Sequence, residues 1–154
     1  MLRISLLAGV ALCLAAAPQA NAATVNLSGL VLNSCILTLG TAGALRVSSA
    51  GTTLSSEEVG GLAATLTIVA TGVAPQINVS APTLAASPVS YGRSPTLGLR
   101  YTSLAGGNQA YTDSSSSYTA NGLLDVLTFN ARALDSAGFT SGTYTIATTV
   151  TCQQ

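Results

Sequence analysis

An antiparallel β-sandwich of about seven or eight short strands is the all-β fold class this sequence predicts, on three observations. Short segments rich in Thr, Val and Ile alternate apolar and polar side chains at period two. Clusters of Gly, Pro and Ser separate them. After residue 22 no stretch carries a convincing amphipathic helical period, so stacking two layers of strands is the available way to bury a core.

The elements follow in order along the chain. In residues 23–32, Val25, Leu27 and Val31 fall on one face and Thr24, Asn26 and Ser28 on the other, which predicts a strand. Extended chain resumes at 35–39 (CILTL), and 40–43 turns it into a short segment at 45–47. The Gly- and Ser-rich stretch 48–61 reads as a polar connection without an element. Residues 62–71 (LAATLTIVAT) give the strongest strand signal, with Leu66, Ile68 and Ala70 opposed to Thr65, Thr67 and Val69. Gly72 ends it, and 76–80 (QINVS) reads as its hairpin partner with Ile77 and Val79 inward. Pro82, Pro88 and Pro95 mark irregular or edge segments, since proline cannot donate into a central ladder.

Alternation returns at 97–103 through Leu97, Leu99 and Tyr101. Residues 105–122 are rich in Gly, Asn, Ser and Tyr, which predicts an exposed loop. At 123–134, Leu127, Phe129, Ala131 and Ala133 share a face opposite Thr128, Asn130 and Arg132; this period favours a strand over a helix. A Gly-containing turn then leads into a β-branched final strand over 143–152 (TYTIATTVTC).

The compartment is read from residues 1–22. Arg3 supplies a positive start, 6–17 an apolar run and Ala20-Asn21-Ala22 a small-x-small cleavage site, so these residues form a signal peptide. The apolar run is shorter than the ~20 residues a membrane-spanning helix needs. The mature chain, 23–154, is then one exported β-sandwich domain with no membrane span, expected in the periplasm in transit and afterwards at the cell surface or outside it. Leu12 stands where a lipidated cysteine needs a small residue before it, so Cys13 is expected to leave with the leader. Cys35 and Cys152 remain, and in an oxidising compartment a lone pair is expected to bridge. That bridge requires the two ends of the domain to meet.

Composition excludes several functions. There is no Lys or His, and outside the leader the cations are Arg46, Arg93, Arg100 and Arg132, so a basic footprint for nucleic acid is missing. Without His or Lys, the usual serine-nucleophile arrangements are unavailable. Glu57, Glu58, Asp113, Asp125 and Asp135 formally allow a two-carboxylate mechanism, yet each falls in or near a predicted loop, where a solvated carboxylate is the expectation. No enzymatic activity, metal or cofactor is expected. Asp113 with its serines lacks calcium-loop spacing, and Glu57-Glu58 reads as a solubilising pair. The sequons at Asn26 and Asn78 fall in predicted strands and receive no role. Tyr101 is expected in the core, whereas Tyr111, Asp113 and Tyr118 form a candidate recognition loop, because Tyr among Ser, Gly and Asn suits adaptable contact surfaces. With charged residues at 6% of the chain, neighbouring copies would repel one another weakly.

Two segments carry a resemblance. Residues 24–35 (TVNLSGLVLNSC) resemble the first strand of chaperone-usher fimbrial subunits, and residues 141–152 (SGTYTIATTVTC) resemble the turn and final strand of fimbrial and spore-coat-U-like pilin domains. The resemblance implies an immunoglobulin-like domain that lacks its last strand and is held by a periplasmic chaperone. A segment donated by a neighbouring subunit would complete it, with an usher as a further partner. Val25, Leu27, Gly29 and Val31 would be the donor or edge-strand contacts. The implied function is a structural subunit, pilin-like or coat-like, that assembles with itself or its relatives into a surface fibre or layer and contributes to adhesion. The alternative is a monomeric secreted module that recognises carbohydrate or protein through its loops.

Overall fold

The computed structural model describes residues 27–30 and 33–154. The signal peptide and most of the predicted first strand, including Val25 and Val31, lie outside the described residues. Within that strand, residues 27–30 are irregular and exposed, so Leu27 and Gly29 are not in a strand. They fall in a unit separate from the one that spans Val31–Gln154.

That second unit is all-β and antiparallel, with twelve strands among the described residues. They are β1 (Ser34–Leu39), β2 (Arg46–Val47), β3 (Thr53–Ser55), β4 (Ala64–Thr71), β5 (Gln76–Val79), β6 (Thr83–Ala86), β7 (Thr96–Ser103), β8 (Asn108–Thr112), β9 (Ser116–Thr119), β10 (Leu124–Leu134), β11 (Thr145–Ala147) and β12 (Val150–Gln153). The count exceeds seven or eight because several elements are only two to four residues long.

The long strand β10 organises one layer. Along one edge it pairs with β7 from Leu127 to Leu134; along the other it pairs first with β4 and then, past Phe129, with β3. The layer therefore runs β8-β7-β10-β4-β1, with β3 and β2 filling the second half of the β10 edge. The opposing layer is β9-β5-β12, followed by the β6-β11 pair. Between those two pairs the ribbon bends at Ser80: the Thr149 N–H donates to Ser80 Oγ at 2.8 Å and Thr148 Oγ1 donates to the Ser80 carbonyl at 2.8 Å.

The core is where the layers meet. Ile68 of β4, Leu99 and Tyr101 of β7, and Leu127 and Phe129 of β10 pack against Ile77 and Val79 of β5. Their positions follow from pleating, since alternate side chains point to one face. Ile77 is wholly buried in this cluster. An Ile77→Val substitution is therefore expected to lower unfolding free energy by about 1 kcal/mol in a urea titration.

Several expectations from the sequence are corrected. Residues 48–61 do hold an element, β3, and bury Leu54, Ser55 and Ser56. The stretch 76–79 is not the hairpin partner of 64–71: β5 pairs with β12 and β9 in the other layer. Gly72 makes that change of layer possible, with a φ of 93° that disfavours any side chain. Residues 105–122 are not one exposed loop but contain β8 and β9, which belong to different layers; only 113–115 form an exposed tip between them. The final strand is two, β11 and β12, separated by the Ser80 bend.

Cys35 of β1 and Cys152 of β12 form a disulfide with their Cα atoms 6.2 Å apart. It joins the two layers at one side of the domain, where both strands are outermost.

Candidate functional site

The alternation of β1 fixes the chemistry beside that disulfide. Cys35 points across to the opposing layer, so Leu37 and Leu39 point the same way. Yet Leu37 is 38% and Leu39 66% exposed. They line a cavity of about 480 Å³, together with Ala64 and Leu66 of β4, Phe129 and Ala131 of β10, and Ile146 and Val150 from the opposing layer. The lining is predominantly apolar, with Ser56 and Thr148 contributing its hydroxyls.

The borders of this groove are strand edges. Among the described residues β1 pairs only with β4, β11 only with β6 and β12 only with β5. An edge of this kind presents unpaired N–H and C=O groups, which natural sheets usually cover or blunt with charge. Here no charged side chain lies on β1, β11 or β12. The opposite side of the domain differs, because the β8-β9 connection carries the chain directly from one layer to the other.

Three carboxylates, Asp125, Asp135 and Glu57, are held by hydroxyl or guanidinium partners, and Asp125 alone of them is fully buried. Asp125, expected to be solvated, is 1% exposed on the inward face of β10. Ser103 Oγ lies 2.8 and 2.7 Å from its two oxygens, the Ala105 N–H donates at 3.0 Å, and the Tyr118 hydroxyl donates to Oδ2. Burial pushes the Asp125 carboxyl up, but the hydrogen bonds from Tyr118, Ser103 and the backbone outweigh it and hold the group below the usual carboxylate range. Tyr118 is pushed up, by burial first and then by donating to that carboxylate.

Asp135 accepts from the Tyr91 hydroxyl and from Arg93 Nε, each at 2.8 Å, under an aromatic cluster of Tyr91, Phe139 and Tyr144. Burial and the Asp135 bond raise the Tyr91 hydroxyl to about 12. Glu57 accepts from Arg100 and from the Tyr111 hydroxyl. No group of three or more His, Cys, Asp or Glu that could hold a metal ion occurs among the described residues.

The structure separates the three members of the predicted recognition loop. Tyr111 lies under the Arg132 guanidinium, 4.0 Å from its ring centroid. Asp113 is at the exposed tip, where it accepts from Ser114 Oγ. Tyr118 turns inward and packs on the core beside Tyr101. Tyr101 is buried, as its place in the alternating series predicts. The groove itself was not singled out from sequence, although the apolar parity of Leu37, Leu39, Ile146 and Val150 carried half of the signal. The chain matches no protein-family model and no curated protein sequence.

Proposed function

We propose that this chain is an exported, non-enzymatic structural subunit, pilin-like in design. In this reading it assembles with copies of itself or related subunits into a surface fibre or layer. The observation that carries it is the apolar groove bordered by the free edges of β1 and β11-β12. An extended segment laid there would gain main-chain bonds from the edges and bury alternate apolar side chains on the lining, the mode of strand addition. Such a domain is immunoglobulin-like with one strand wanting.

Residues 24–32 of a second copy fit the occupant's requirements, since Val25, Leu27, Gly29 and Val31 recur at period two. A periplasmic chaperone and an usher are the partners this route calls for before assembly. The Cys35–Cys152 disulfide suits an oxidising compartment, and no described helix is long and apolar enough to cross a membrane.

The test is light scattering after size-exclusion chromatography on the oxidised chain 23–154, with and without a synthetic peptide of residues 23–34. The expected result is oligomers, or a monomer whose melting temperature rises by several degrees as peptide saturates it, a linkage worth about 2.7 kcal/mol at a hundredfold excess over Kd. Leu39→Glu, which puts a charge on the apolar lining, is expected to abolish either response while leaving the exposed site folded. A stable wild-type monomer indifferent to the peptide would overturn the assembly reading.

A further inference from the structure

The outer face of the β9-β5-β12 layer has an unusual composition. Strand register places Thr151, Asn78 and Ser117 in one row and Gln153, Gln76 and Thr119 in the next. Thr149, Ser80 and Ser115 continue the array at the bend. All nine side chains are uncharged hydroxyls or amides, set on strands about 4.8 Å apart. The end of this array is concave: Asn78, Ser80, Ser115, Ser117, Thr149 and Thr151 line a depression of about 310 Å³.

Most of these groups are unengaged. Ser80 Oγ serves the bend, as the acceptor for the Thr149 N–H and a partner of Thr148. The side chains of Asn78, Ser115, Ser117 and Thr151 make no hydrogen bond among the described residues. The depression therefore offers several free groups, each able to donate and to accept.

We infer that this depression is a binding site for an uncharged polysaccharide. A sugar hydroxyl also donates and accepts, so each contact can be satisfied in either sense, which a surface of fixed charges would not permit. An anionic polymer or nucleic acid would find no cation on the array. A protein partner would find none of the aromatic, Met or Arg anchors that the buried centre of protein interfaces favours. The volume sits at the lower end of the roughly 300–1,000 Å³ typical of ligand sites, enough for a short run of sugar units. Because no aromatic ring is available for stacking, one domain binds weakly, with a Kd on the order of 1 mM. The site is independent of the apolar groove. The assembly reading enters only through avidity, since a fibre would repeat the weak site along its length.

The test is a backbone amide NMR titration of the Leu39→Glu chain, which keeps the array and blocks assembly through the groove. Separate probes are cellohexaose, maltohexaose and mannohexaose, with oligogalacturonate as the charged comparison. Saturable shifts at Asn78, Ser115, Ser117, Thr149 and Thr151 are expected with at least one neutral hexasaccharide. The double variant Asn78→Val, Thr151→Val keeps β-branched strand residues and is expected to weaken binding about tenfold as both polar partners are lost. Absence of saturable shifts with all three neutral probes would overturn the inference. So would an equal response to oligogalacturonate, or a response that the double variant leaves unchanged. None of these outcomes bears on the groove.

Discussion

Replacing both Cys35 and Cys152 by alanine is expected to lower unfolding free energy by about 4 to 5 kcal/mol, the largest single effect in this domain. The bridged cysteines are 117 residues apart in sequence, and in the chain-entropy model a loop of this order restricts the unfolded ensemble by that amount. Both cysteines also pack against the core, so removing their sulfur atoms adds a packing loss of the same sign. With net stabilities of about 5–15 kcal/mol, the variant would stand near its folding threshold. Urea titration of the oxidised chain against the double variant provides the measurement. At a slope of about 2 kcal/mol per molar, the midpoint falls by roughly 2 M. A fall corresponding to less than about 1 kcal/mol would mean that the unfolded ensemble already holds its ends together.

The second large effect is at Asp125. Truncation to alanine leaves the Ser103 and Tyr118 hydroxyls without their acceptor inside the fold, while the Ala105 N–H keeps only Ser103 Oγ, at 3.0 Å. A loss of about 3 to 5 kcal/mol is expected, because each stranded buried donor costs roughly 1–3 kcal/mol and partial relaxation recovers some of it. Asn at this position keeps one acceptor oxygen and lets the hydroxyls reverse, so Asp125→Asn should cost markedly less.

The same carboxyl sets an acid limit. Its pKa in the fold lies below the ordinary value of 3.8, so its stabilising contribution is fully present above that value and is lost as pH falls through the folded pKa. Wild-type stability should therefore drop below about pH 4, and the Asp125→Asn chain should lose less over that interval. Equal pH slopes for the two proteins would assign the acid limit to other groups.

Much of this arrangement is legible in the sequence where burial on one face enforces a period. The strands β4, β7 and β10 are long enough for alternation to emerge, and their inward residues are those the period names. The strand β3 escapes because Leu54 is its only large apolar side chain; Ser55 and Ser56 are buried through hydrogen bonds that composition does not disclose. The strands β8 and β9 escape because their Gln, Ser and Thr side chains read as loop. Sequence neighbours also mislead: β4 and β5 are separated by only a short turn, yet Ile68 and Ile77 face each other from different layers.

Asp125 was within reach. It stands two residues before Leu127 and four before Phe129, so continuing the same period places it on the inward face; its place near the start of the segment reads instead as loop, and the Ser103 and Tyr118 hydroxyls that accommodate its charge come from other strands, β7 and β9. The groove is harder to read because it depends on which two strands become neighbours across the layers, a matter of topology rather than of local pattern.

The position of the disulfide also decides how the domain carries tension. A pull applied to the chain before Cys35 and resisted at β12 passes through a single covalent link between the layers. Everything between the two cysteines, including β4, β5, β7 and β10, lies off that load path. Force transmitted along such a route can tear a hydrogen-bonded edge from its neighbour, but it has no purchase for unravelling the core.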